Sequence, residues 1–192
     1  MTPIVSYMVA FWIAHSPAPV MAMHAKNGES PDDVRARFEL EADALEQVVF
    51  DPAEPAVSSR GKAYDAFFLG VIAWEETNMR ADVERGDCGK PGNPLGDCDS
   101  GNASGLWQLH LGRSGAVLEP GGGFTLLRTM PPAWQAAHAG QAVTHLDVVA
   151  SRTVSVRAAL HFYRQAGGCG PWSTCRWANA IARGWWASHP FH

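Results

Sequence analysis

Apolar residues crowd the start of the chain, from Ile4 to Ala14 without a charge among them, and later recur at the spacing of buried helices. The first run is too short to cross a bilayer, which takes about 20 apolar residues. It is followed by Ser16-Pro17-Ala18-Pro19-Val20-Met21-Ala22, whose Val20 and Ala22 fit the small-residue positions before a cleavage after Ala22. This is a signal-peptide outline, without the usual basic residues in front; an apolar arm packed on the domain is the alternative. Ser30-Pro31-Asp32-Asp33 then predicts a helix start, with Ser as cap, Pro in the first turn and acids at the positive end of the helix dipole. That helix is expected to reach about Phe50. Two prolines break the chain between 51 and 57, and Ser58 or Ser59 can cap a second helix, in which Tyr64, Phe67, Phe68, Val71 and Ile72 repeat at helical spacing. From Arg80 to Ser104 the chain turns to Gly, Pro, Asp, Asn and Cys, the composition of a long functional loop. Regular structure should resume at Gly105 to Leu109. A Gly-rich stretch at 119–123 and Pro131-Pro132 bracket short segments. One long helix is predicted from Leu146 to Ala166, ended by Gly167-Gly168, and a last one from about Thr174 to Trp186. No segments alternate as strands do, and no repeat appears. The expectation is a mainly α fold, with residues 1–29 a signal-like or disordered segment and residues 30–192 one domain.

Composition narrows the classes. The 192 residues suit one domain with a tail. With 46% hydrophobic and 18% charged residues the chain can bury a core, which excludes a disordered protein. Fifteen basic against nineteen acidic side chains give a net charge of -4, so the cationic field that nucleic acid or anionic lipid requires is missing. Nucleic acid is not expected as a partner, nor is a membrane span in a mature chain; a monomer is expected. The eight Trp residues can fill a core or stack on flat ligand faces such as sugars.

The four cysteines form two close pairs, Cys88 with Cys98 and Cys169 with Cys175, each in a Gly/Pro-rich stretch that a disulfide could staple. An even count with local pairing favours bridges, and with them an oxidising compartment. Zinc binding or free thiols are the competing readings, against which neither pair has the two-residue spacing of a zinc knuckle. No metal and no cofactor is expected.

The residues that point to chemistry are Glu75-Glu76, at the end of the apolar helix and just before the long loop. A carboxyl held against apolar walls disfavours its charged form and can stay protonated to act as a general acid. Glycosidic cleavage needs that property, because the leaving oxygen must be protonated as the oxocarbenium-like sugar develops. Such a pair is otherwise the solvated last turn of an ordinary helix. Glu76-Thr77-Asn78-Met79, the loop, and then Ala103-Ser104-Gly105-Leu106-Trp107-Gln108-Leu109 resemble the soluble lytic transglycosylase and goose-type lysozyme group of the lysozyme-like superfamily. Its signature is Glu-Ser-x-Phe followed by Gly-Leu-Met-Gln-Ile; here Thr77 stands for Ser, Met79 for the aromatic residue and Trp107 for Met. Phe162-Tyr163-Arg164-Gln165-Ala166-Gly167 loosely echoes a third element, Ala-Tyr-Asn-Ala-Gly. The resemblance runs from about Ala63 to Gly167.

The resemblance implies a lysozyme-like single domain with a catalytic cleft and a long disulfide-closed loop. Helical phase alone would choose Glu75, which lies nearer the middle of the apolar stripe; the motif chooses Glu76, with a hydroxyl one residue on and an apolar residue three on. By the same likeness Gly105, Leu106 and Gln108 form the cleft wall, with Gln108 bonding the substrate or orienting the acid. Trp107 either stacks on a sugar or fills the core, Ser104 is a polar contact or a turn former, and Tyr163 joins the substrate site. The implied partner is peptidoglycan, cut between N-acetylmuramic acid and N-acetylglucosamine in the periplasm or outside the cell. Closure of the muramoyl C6 hydroxyl onto C1 would make the chain a transglycosylase; attack by water, with a second acid such as Asp82, Asp87, Asp97 or Asp99, would make it a muramidase. A non-catalytic glycan-binding module is a third reading. His110 and His161 titrate near neutrality in principle, yet a lone His is more often structural.

Overall fold

Ser30 starts the first long helix by a reciprocal cap: its hydroxyl accepts from the Asp33 N–H, and the Asp33 carboxylate accepts from the Ser30 N–H. The computed structural model describes residues 1–86, 103–110, 126–138 and 140–191, and only the backbone of Ser104, His110 and His145. Cys88, Cys98, Asp87, Asp97, Asp99 and the Gly-rich stretch at 119–123 lie outside the described residues.

The described fold is mainly helical. Helices α1 (Pro3–Ala14), α2 (Ala18–Lys26) and α3 (Pro31–Val49) come first, then α4 (Lys62–Thr77) and the short α5 (Ala81–Glu84). A two-residue antiparallel ladder follows, β1 (Ala103–Ser104) with β2 (Leu109–His110), pairing Ala103 with His110 and Ser104 with Leu109. Helices α6 (Pro132–Ala137), α7 (His145–Ala150), α8 (Arg152–Gln165) and α9 (Cys175–Ser188) complete the order.

Helix α4 is the central element, buried without interruption from Tyr64 to Trp74. Neither Ser58 nor Ser59 caps it. Gly61 does so at φ 87°, and the first-turn acid Asp65 turns back to accept the N–H groups of Val57 and Ser58 at 2.7 and 3.0 Å. Around α4 pack α1, α3 and α9. Helix α9 runs antiparallel to it: Trp186 lies edge-on to Tyr64 at the start of α4, and Thr174 reaches Glu76 at its end.

The apolar N-terminal run is a core helix in this structure. Ile4, Val5, Met8, Val9, Phe11 and Trp12 are all buried, and the Trp12 indole donates to the Gly70 carbonyl at 3.0 Å. Gly70 makes that approach possible, since a Cβ there would sit 3.0 Å from the Trp12 ring. Among the described residues no single helix is long and apolar enough to cross a membrane.

The single helix expected over 146–166 is two. Ser151 takes an extended conformation (φ -146°, ψ 119°) between α7 and α8, and its hydroxyl accepts from the Val154 N–H to cap α8. Local capping by a Ser hydroxyl here outcompetes continuation of the helix. Cys169 and Cys175 form a disulfide at the head of α9, with Cα atoms 5.2 Å apart.

Candidate functional site

Helix α4 stops just after Glu76 because two successive residues turn left-handed: Asn78 at φ 50° and Met79 at φ 54°. Asn tolerates that region; Met does not, and its fully buried side chain is what holds it there. Thr77 ties the helix end to the second motif. Its Oγ1 lies 2.8 Å from the Ala73 carbonyl and 3.3 Å from the Leu106 carbonyl, so one hydroxyl proton bridges α4 and the 105–109 segment.

That segment is a tight turn between β1 and β2. Gly105 (φ 67°) and Gln108 (φ 47°) are both left-handed, and the Gln108 N–H and Nε2 each donate to the Gly105 carbonyl at 3.1 Å. A Cβ on residue 105 would stand 2.9 Å from Ser155 Oγ, so both conformation and space require glycine. Leu106 and Trp107 are buried. The Trp107 indole donates to the Leu69 carbonyl at 2.9 Å, while the Trp107 carbonyl accepts from the Trp172 indole at 2.8 Å. Trp107 has no face left for a sugar; it is the core filler of the two roles its position allows.

Glu76 is half-buried and is held by the loop that leads into α9. Its Oε1 accepts from Thr174 Oγ1 at 2.6 Å and from the Thr174 N–H at 3.4 Å, while Oε2 has no hydrogen-bond partner among the described residues. Thr174 was legible only as a helix start; its bond to a residue 98 positions away leaves no local signal. Trp177, one turn further along α9, is 61% exposed, with the Arg176 guanidinium 5.7 Å from its ring centre.

Glu75 takes a different environment. Burial pushes its carboxyl above the ordinary range, opposed by His15 and reinforced by the Glu76 charge. The desolvation expected of a general acid acts on Glu75, on the side of α4 that meets the end of α1.

The other expected site residues scatter. Tyr163 is buried on α8 with its ring 5.7 Å from that of Phe68, and it lines a groove of about 320 Å³ whose walls do not include Glu76. From Phe68 to Glu76 is about 12 Å along the helix axis. Burial raises the Tyr163 hydroxyl well above its usual range, with nearby Asp65 adding to the effect. Ser104 and His110 are placed only through their backbone pairing, and His161 is buried on α8. Asp82 is engaged in a buried ion pair with Arg80 at 2.5 Å and accepts from Asn27 at 2.9 Å, the contacts of a structural acid.

A second polar concavity, of about 90 Å³, is lined by Gly105, Leu106, Ser155, Glu41, Glu84 and Arg152 among others. Arg152 bonds both carboxylates, Glu41 at 2.5 Å and Glu84. Burial, with Glu84 adding repulsion and Arg152 opposing it, pushes the Glu41 carboxyl up to about 8. Among the described residues no group of three or more His, Cys, Asp and Glu could hold a metal ion. Comparison with known proteins finds no match: no family model, no curated protein and no solved structure is similar to this chain.

Proposed function

We propose that the chain cleaves peptidoglycan glycan strands between N-acetylmuramic acid and N-acetylglucosamine, as a lytic transglycosylase of lysozyme-like fold with Glu76 as the single catalytic carboxyl. The observation that carries the reading is the Thr77 hydroxyl shared between Ala73 and Leu106, which joins the Glu76 motif to the Gly105-Leu106-Trp107-Gln108-Leu109 motif in one unit. Two segments resembling the halves of a bipartite family signature are thereby joined.

The chemistry follows from how Glu76 is bonded. With Oε1 accepting from Thr174, Oε2 is the oxygen that carries the acid proton. Oε2–H protonates the glycosidic oxygen, the C1–O bond breaks, and the muramoyl C6 hydroxyl attacks C1 while returning its proton to Oε2. The product is a 1,6-anhydro sugar, no water is consumed and the carboxyl is regenerated. Gln108 at the turn is a polar contact for the strand, and exposed Trp177 replaces buried Trp107 as the stacking face for a pyranose. The Cys169–Cys175 bridge fits an exported protein.

Glu75 is the second reading, favoured by the burial that raises its carboxyl. Digestion of purified cell wall by Glu76→Gln and Glu75→Gln separates the two. Loss of at least a thousandfold in rate for Glu76→Gln, with Glu75→Gln within a few-fold of the parent, is expected. The reverse pattern moves the acid to Glu75, full activity in both variants overturns both assignments, and a parent protein that releases no fragments leaves a non-catalytic glycan-binding module.

A further inference from the structure

The groove that holds Tyr163 lies apart from Glu76 and has a lining of its own. Its floor is aromatic: the Tyr64 and Phe68 rings stack with centroids 5.9 Å apart, and Tyr163 packs on Phe68. Its rim is cationic. Arg60 sits over the Tyr64 ring at 4.7 Å, and Arg183 projects from α9; neither guanidinium meets a carboxylate among the described residues. No acidic side chain lines the groove. Asp65, the nearest acid to Tyr163, spends its oxygens on the Val57 and Ser58 N–H groups.

The groove thus presents two guanidiniums without carboxylate partners among the described residues and an aromatic lining, at about 320 Å³ the lower end of small-ligand pockets.

We infer that this groove binds a carboxylate-bearing ligand with an apolar body, the carboxylate engaging Arg60 and Arg183 and the body lying along the groove that Tyr64, Phe68 and Tyr163 line. Under the function proposed above, on which only the source of the ligand rests, that ligand is the lactyl-peptide portion of muramic acid. Along α4 the groove begins about 12 Å from Glu76, at Phe68, and its Arg60 end, at Tyr64, lies about 18 Å away, in the range of a peptide stem extending away from the cut bond.

Calorimetric titration of the Glu76→Gln protein, which separates binding from cleavage, tests this with three probes: N-acetylmuramyl-L-alanyl-D-isoglutamine, its methyl ester, and the dipeptide alone. The acid is expected to bind about tenfold tighter than the ester, and Arg183→Gln to abolish that difference while leaving the ester unchanged. Tyr163→Phe, which keeps the packed ring, should weaken the acid less than Arg183→Gln does. Binding of the dipeptide as tight as that of the muramyl compound keeps the carboxylate site and assigns it to free acidic peptides. Equal affinity for acid and ester, no effect of Arg183→Gln, or no binding of the acid at millimolar concentration overturns the inference. Wall cleavage that survives Glu76→Gln defeats the catalytic proposal and leaves this titration readable.

Discussion

Thr174 is the residue whose loss should be most informative at the site. Thr174→Ala removes the 2.6 Å donor to Glu76 Oε1 and frees the carboxyl to rotate. A drop in kcat of about tenfold is expected for the loss of about 1.5 kcal/mol of positioning, with Thr174→Ser restoring most of it; an unchanged kcat in the alanine variant would show that the bond is incidental. Glu41 makes a separate prediction from its carboxyl near 8 against an ordinary 4.5. Between those values the native protein keeps a proton that the unfolded chain has lost, so stability falls as pH rises through this window and levels off above it. The slope approaches about 1.4 kcal/mol per pH unit. Urea unfolding from pH 5 to 9 should show it, and Glu41→Gln should flatten it; equal slopes in both proteins would contradict the buried carboxyl. At this scale the sequence was partly legible. The two motifs around Glu76 and Gly105 to Leu109 were legible as a family likeness, and Thr77 joins them in the structure, whereas helical phase pointed to Glu75. Thr174, Trp172 and Asp65 act through contacts that are distant in sequence or run against the usual cap, which no local pattern carries.

Among the elements, the turn from Gly105 to Leu109 depends most on one residue. Gly105→Ala would place a Cβ 2.9 Å from Ser155 Oγ at a left-handed φ of 67°, and a loss of roughly 2 to 4 kcal/mol is expected from strain and overlap together. Adding Ser155→Gly should recover the part due to overlap and none of the part due to φ, a partition that thermal unfolding of the three variants reads directly. Helix α3 was legible from end to end because its start is a local cap. The break at Ser151 was not, since apolar periodicity continues across it from Val148 to Val154 and only the Ser151 hydroxyl, competing for the Val154 N–H, divides the run. The β1–β2 ladder is two residues long on each side, too short to leave an alternation. Trp107 illustrates a different limit: an aromatic residue beside a motif reads equally as platform or core until the partners of its indole N–H are known.

The whole molecule is built around a seam that sequence alone assigns to two different fates. An uncharged apolar run at the N-terminus has the composition of a leader and of a core helix alike. In the structure α1 buries six apolar side chains against α3 and α4, a burial worth on the order of 10 kcal/mol, comparable to the entire stability of a domain. A chain starting at Met23 is therefore expected to lose cooperative unfolding and to expose the groove that Trp12 fills beside Gly70; a truncated chain with an undiminished melting transition would show that α1 is dispensable. The central claim concerns bond cleavage, and mass spectrometry of muropeptides released from purified cell wall tests it most directly. The account predicts fragments ending in 1,6-anhydro-N-acetylmuramic acid from the parent protein and none from Glu76→Gln. Reducing-end fragments heavier by one water, or anhydro fragments undiminished in Glu76→Gln, would contradict it.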